Sequence, residues 1–259
     1  IALGLATIFA ALGLTIVPQS LSQSAQRSTP ELRGVWLTNI DSDVLFSKDQ
    51  LNKGIKRLAK LNFNTVYPTV WSYGHTLYPS QAALRATGET HRLYPDRQET
   101  GQRDSREAAQ SDRDMLKEII AVARDQNLHV VPWFEFGFMA PANSALVKRH
   151  PDWITQRRDG TKIVMKETKH PRVWLNPFHP EVQKLMIDLV SEVVTRYDVD
   201  GIQFDDHFGL PAPWGYDPYT VNLYRKEHKS TRPSRIAPNP EWVRSRASKL
   251  TAFMGRLHQ

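Results

Sequence analysis

Cysteine is absent from all 259 residues. The chain can therefore form no disulfide, no thiolate zinc site, no Cys nucleophile and no lipid-modified N-terminal Cys. An oxidising compartment is permitted by this absence and not required by it. Nucleotide-binding patterns are missing too: there is no G-x-G-x-x-G and no P-loop, so no nucleotide cofactor is expected. No H-x-x-x-H or H-x-x-E helix pair is present, so no metal is expected. The net charge of +7 favours polyanions such as an acidic cell-wall polymer. Yet Lys and Arg are interspersed with Asp and Glu, and no basic block alternates with stacking aromatics. Nucleic acid is therefore not an expected partner. Oligomeric state is not written in the composition.

A long hydrophobic run opens the chain, at residues 1–17. It is apolar apart from Thr7 and Thr15, and Pro18 and a small polar run follow it. Residues 1–25 are thus expected to be an export signal, which implies secretion or periplasmic residence. The competing reading is an uncleaved membrane tether through residues 1–17, a length at the lower limit for a span. Residues 26–30 read as a linker, and 31–259 as the folded part.

The folded part begins with a strand at 32–39. Ser47-Lys48-Asp49-Gln50 then matches a capping box, and Leu51, Ile55, Leu58 and Leu61 follow at helical spacing. A second strand is predicted at 64–71 and a long structureless loop at 72–110. A helix at 111–125, a strand at 128–135 and a second long loop at 136–177 come next. Pro180 suits the first position of a third helix, which carries Val182, Leu185, Met186, Leu189, Val190, Val193 and Val194 on one face. This helix feeds a fourth strand at 198–208. Two more helices are predicted, at about 219–228 and 240–257.

Strands alternating with helices predict a parallel sheet with function at the C-terminal strand ends. Reading each strand with a period of two separates two faces. One holds Val35, Leu37, Val66, Val70, Val130, Phe134, Ile202 and Phe204. The other holds Trp36, Thr38, Tyr67, Thr69, Trp71, Trp133, Glu135, Gln203 and Asp205. A doubly wound sheet should be apolar on both faces. One aromatic and polar face fits the interior of a (β/α)8 TIM barrel instead. Only about the first half to five-eighths of such a barrel is present. Half a barrel leaves two open sheet edges, which predicts aggregation or pairing and little activity on its own.

Glu135 and Asp205 end adjacent strands on the inner side, so their carboxyl groups should lie roughly 5 to 9 Å apart. Glycoside hydrolysis needs such a pair, one as proton donor and one as nucleophile or base, and this range spans both stereochemical outcomes. By parity Asp206 faces the helices if the strand continues, so it orients a neighbour or caps the loop. With His75 or His207 it is also a candidate metal ligand, the alternative of a polysaccharide deacetylase. Trp36, Trp71, Tyr73, Trp133, Trp174 and Trp214 offer flat faces to sugars, with core packing the competing role for at least half. Gln203 and His207 complete the candidate substrate-binding set.

Four stretches resemble a known family: Glu31-Leu32-Arg33-Gly34-Val35-Trp36-Leu37-Thr38, Asn62-Phe63-Asn64-Thr65-Val66-Tyr67, Trp174-Leu175-Asn176-Pro177 with Pro180-Glu181-Val182, and residues 197–206 around Phe204-Asp205-Asp206. Together with Glu241-Trp242 and Arg244, they resemble the bacterial glycosyl hydrolase-like family ten, from about Glu31 onward. The resemblance implies an exported barrel acting on glycans, in some members peptidoglycan, with Asp205 as the principal carboxylate and Asp206 beside it. His207 stands where an aromatic residue is expected, and Glu135 where relatives carry an amide. The second carboxylate is therefore either Glu135 or an acid beyond residue 259. A non-catalytic glycan-binding barrel is the remaining alternative.

Overall fold

Three of the helices start where their capping chemistry places them. The Ser47 hydroxyl accepts the Gln50 N–H at 3.0 Å and opens α1 (Lys48–Lys60), which buries Leu51 and Ile55. The longest buried stripe lies on the helix that Pro180 opens (Pro180–Arg196), with Val182, Leu185, Met186, Leu189, Val190 and Val193 inward. Val194, predicted on that face, is 51% exposed. A further helix, Met115–Asp125, follows Asp114, whose carboxylate accepts the Lys117 N–H at 3.0 Å. The computed structural model describes residues 31–40, 42–93, 113–164, 171–228 and 240–259. The expected signal at 1–25 and linker at 26–30 lie outside them.

In chain order the strands are β1 (Gly34–Leu37), β2 (Thr65–Pro68), β3 (Trp71–Ser72), β4 (His75–Thr76), β5 (His129–Val130), β6 (Trp133–Phe134), β7 (Met139–Pro141), β8 (Ile163–Val164), β9 (Arg172–Trp174) and β10 (Gln203–Phe204). The helices after α1 are α2 (Gln81–Thr87), α3 (Met115–Asp125), α4 (Ala145–Arg149), α5 (Pro180–Arg196), α6 (Pro218–Glu227) and α7 (Pro240–Leu257). Among the described residues no helix is long and apolar enough to cross a membrane.

β1, β2 and β5 are parallel neighbours, with Gly34 opposite Thr65 and Thr65 opposite His129. β6 and β10 continue the series, with Gln203 opposite Trp133. β5 and β6 are one extended segment interrupted at Pro132, which has no N–H to give the ladder. Bonding runs on through the gap: Val131 N–H donates to the Val66 carbonyl and Gln203 N–H to that of Pro132. Four strand positions in sequence order with helical crossovers are the first half of a (β/α)8 barrel.

The expected faces are visible in the burial. Val66, Val70, Val130 and Phe134 are fully buried. On the other side Trp36 stacks on Tyr67 at 5.3 Å and meets Trp133 edge-on at 6.4 Å. Gly34 makes room for this packing, since a Cβ there would lie 2.4 Å from the Tyr67 ring.

Several elements differ from the sequence prediction. The strand predicted at 64–71 ends at Pro68, and Trp71 turns off into the β3–β4 hairpin through Tyr73 and Gly74. Both have positive φ, 53° and 75°, as a tight two-residue hairpin requires. The long loops are also structured: 72–110 contains that hairpin and α2, and 136–177 contains α4 and an antiparallel sheet in the order β7-β9-β8. Elements this short carry too few residues to display a period.

At the opposite end from the loops, Asp200 ties the approach to β10 to α3 and β5. Its carboxylate accepts the Val130 N–H at 2.7 Å, Arg124 Nη1 at 2.9 Å and His129 Nδ1 at 3.0 Å. Burial alone would raise its pKa, but those three donors and the Arg124 charge hold it below the usual carboxylate range. Its stabilising effect is complete above the ordinary value of about 3.9 and is lost as pH falls through the lowered folded value. Asp200→Asn is expected to cost about 1–3 kcal/mol in urea unfolding at neutral pH, and less in acid. An equal loss at both pH values would contradict this role.

Candidate active site

Opposed Phe134 and Phe204 place Glu135 and Asp205 side by side at the exits of β6 and β10. Strand formation stops there because Asp205 acts as an N-cap. One of its oxygens accepts the His207 N–H at 3.0 Å, winding residues 206–208 into a 3-10 turn. His207 Nδ1 then lies 3.1 Å from the Glu135 carbonyl and 3.3 Å from the second Asp205 oxygen. Histidine thus bridges the two strand ends. The Glu135 carboxylate accepts from Thr69 Oγ1 at 3.2 Å, and Thr69 is fully buried at the end of β2.

The His207 pKa is raised, first by its hydrogen bond to Asp205 and against its own burial. The Asp205 and Asp206 charges and the Glu135 carbonyl act in the same upward direction. Its imidazolium therefore contributes stability that is complete below about 6.5 and is lost as pH rises through the raised folded value. An NMR titration is expected to give a midpoint above that of a free histidine, and Asp205→Asn should bring it down. A midpoint unmoved by Asp205→Asn would show that the pair does not interact.

The aromatic candidates separate into two groups. Trp36 is 53% exposed on the inner wall and donates Nε1–H to Gln203 Oε1 at 3.0 Å. Trp133 lies beside it, half-buried. Trp174 donates Nε1–H to the Gly209 carbonyl at 2.8 Å and holds its ring 6.1 Å from that of His207. Tyr73 packs on Phe136 at 4.4 Å. Four of the six must be reassigned from sugar contact to the core: Trp174, 6% exposed, and Tyr73, 9% exposed, join Trp71 and Trp214. Trp71 is completely buried, its Nε1–H bound to the Gly137 carbonyl, because the hairpin turns it away from the barrel interior. Trp214 is 2% exposed beneath the Arg157 guanidinium, and its carbonyl accepts from Arg246.

Asp206 falls outside the condition of the parity reading and stands 3.7 Å from its neighbour His207. The strand has ended, and its side chain is 92% exposed instead of facing the helices. Asp205, Asp206 and His207 do bring one ligand atom each within 4.8 Å of one another. Asp205 also accepts from His207 through both oxygens, from its N–H and from its ring Nδ1. His75 lies elsewhere, buried in β4.

Several supports of the site carry no simple sequence signal. Gly137 has φ 48° and lies against the main chain of His207, whose carbonyl accepts the Phe138 N–H at 2.9 Å. Buried Asp217 accepts from Thr155 Oγ1 at 2.7 Å and from Asn176 Nδ2 at 2.9 Å. Trp174 and Asn176 thereby pin both ends of the loop 209–217 that follows the turn. The Trp174-Leu175-Asn176-Pro177 motif was the one legible trace of this fastening.

Residues 31–259 match the family model of Glycosyl hydrolase-like 10. Glycosyl hydrolase DigH of Escherichia coli K12 is 26% identical over 254 residues, covering 88% of this chain and 52% of DigH. The chain thus spans about half the length of the curated relatives it matches. Among solved structures, alpha-L-fucosidase isoenzyme 2 from Paenibacillus thiaminolyticus aligns with a TM-score of 0.56 at 17% identity, over 87% of this chain and 30% of that one. A hypothetical protein from Ruminiclostridium thermocellum aligns with a TM-score of 0.54 at 15% identity, over 86% of this chain and 90% of that one. At these identities the structural likeness speaks for the barrel fold alone. The family match runs through all four strand positions and both candidate carboxylates, and the chain belongs to the glycosyl hydrolase-like 10 family.

Proposed function

We propose that this chain carries the candidate catalytic centre of an exported glycoside hydrolase acting on a polysaccharide, with peptidoglycan glycan strands as the substrate. The observation that carries this reading is the pairing of Glu135 and Asp205 at neighbouring strand ends, bridged by His207 in a mouth walled by Trp36 and Trp133, with buried Trp174 behind the histidine. Asp205 accepts hydrogen bonds on both oxygens, which suits a nucleophile or a stabiliser of the oxocarbenium-like transition state. Glu135 is the candidate proton donor to the leaving oxygen. The exposed Trp36 ring offers a face for a sugar to stack on.

A net charge of +7 draws the protein to an acidic wall polymer, and the apolar run at 1–17 supports export to the periplasm or beyond. The substrate is tested by incubating the whole protein with purified peptidoglycan, where soluble glycan pieces with new reducing ends are expected. An untouched polymer beside cleavage of another polysaccharide would overturn the substrate and keep the activity. Export is tested by fusing residues 1–30 to a reporter that is active only outside the cytoplasm. A silent fusion would remove that part of the proposal.

A further inference from the structure

Among the described residues, His207 is fastened at every polar atom but one. Its main-chain N–H donates to Asp205 at 3.0 Å, and its main-chain carbonyl accepts the Phe138 N–H at 2.9 Å. Its ring Nδ1 lies 3.1 Å from the Glu135 carbonyl oxygen and 3.3 Å from an Asp205 carboxylate oxygen. A carbonyl oxygen only accepts, so Nδ1 carries a proton in either charge state of the ring. The atom left over is Nε2. It makes no hydrogen bond among the described residues and is not sealed from water, the side chain being 32% exposed.

The ring is held as firmly as the main chain. Phe136 lies nearly parallel to it, 19° off with ring centres 6.1 Å apart, and buried Trp174 stands at the same distance. Nδ1 is turned toward the two strand ends, so Nε2 leaves from the opposite edge of the imidazole. The Asp205 and Asp206 carboxylates, 3.3 and 3.7 Å from Nδ1, favour the charged ring. In that state Nε2 also carries an N–H, and nothing in the described protein receives it. A charged donor fixed in place before the substrate arrives has no reorientation to make on binding, which is the condition under which a hydrogen bond acts most strongly on a reacting group.

We propose that His207 Nε2 is a substrate donor of this site, giving its hydrogen bond to a hydroxyl or substituent oxygen of the sugar unit being cleaved. Asp205 and the Glu135 carbonyl fix the ring through Nδ1 so that Nε2 is presented. This inference rests on the glycan-hydrolase reading and adds a third side chain to the two carboxylates.

The test uses the two amides that each copy one half of a histidine. An asparagine amide reaches about as far as Nδ1, and a glutamine amide about as far as Nε2. The whole protein is assayed on purified glycan strands as His207→Asn and as His207→Gln. Loss of the Nε2 donor is expected to lower kcat/KM of His207→Asn by about tenfold or more, as for a hydrogen bond from a charged group. His207→Gln is expected to keep the higher rate of the two. A ring that serves only to hold Asp205 predicts the reverse order. An asparagine variant as fast as the glutamine variant, or faster, would therefore overturn the inference and leave the glycan reading standing. Because either variant can fail to fold, the parent protein supplies a second measurement, by NMR of isotopically labelled histidine nitrogens. Soluble fragments of the same strands, added to saturation, are expected to move the Nε2 resonance of His207 more than its Nδ1 resonance. Equal movement, or none, would overturn the inference. A parent protein that neither cleaves nor binds glycan would overturn the glycan reading, and the inference with it.

Discussion

Asp205→Asn is expected to reduce glycan cleavage by about 10³-fold or more with the protein still folded. The amide keeps the shape and one acceptor oxygen, so the 3-10 turn that Asp205 caps can persist. What disappears is the negative charge, and with it either the nucleophile or the group that stabilises the developing cation. Glycan affinity should change little, because the interaction lost belongs to the transition state. Rates within about tenfold of the parent would exclude Asp205 as the principal carboxylate. Glu135→Gln provides the companion measurement. A proton donor matters most for poor leaving groups, so its loss should be severe on natural glycan and mild on an activated aryl glycoside. An equal loss on both would send the search for the acid beyond residue 259.

Gly137→Ala is expected to lower stability by about 2–4 kcal/mol, which corresponds to a fall in melting temperature of roughly 5–15 °C for a chain of this size. Two costs combine. At φ 48° the backbone lies in the left-handed region, where a Cβ is strained, and that Cβ would meet the His207 carbonyl carbon and oxygen at 2.5 Å and the Phe208 nitrogen at 2.6 Å. Those atoms are main chain and cannot rotate away. Relief requires moving the 206–208 turn, which also carries the His207–Asp205 contact, so activity should fall together with stability. A melt unchanged to within about 2 °C would contradict the close packing of these two loops.

The sequence showed the barrel through the contrast between its two strand faces, and that contrast survives in the structure. Val66 and Val130 are sealed against helices while Trp36 stands open on the other side. Helix ends were legible wherever a side chain does the capping, as at Ser47, or where a proline opens the first turn, as at Pro180. Strand lengths were not. Period-two reading cannot register a hairpin that turns off after Val70, where the last bond to the sheet is made, and so it carried Trp71 into the barrel interior.

The same limit explains the site. Asp205 was placed correctly at the end of β10, because extended backbone persists through that residue. Parity turned Asp206 toward the helices only on condition that the strand continued, and Asp205 ends it by capping the 206–208 turn. Asp217 and Asn176 went unread as a pair for another reason: their importance lies in contacts between distant parts of the chain, such as Thr155 with Asp217. Spacing along a sequence does not contain such contacts. Tryptophan number was a poor guide as well, since a large ring serves a core and a sugar platform equally.

Side-chain carboxylates at this site are proposed to break glycosidic bonds. This claim is tested most directly by digesting purified glycan strands with the whole protein in water enriched in heavy oxygen, with a chelator present throughout. Paired-carboxylate hydrolysis predicts heavy oxygen at the anomeric carbon of each new reducing end, undiminished by the chelator. Heavy oxygen appearing instead in released acetate, and only when the chelator is left out, would identify a metal-dependent deacetylase and contradict the claim.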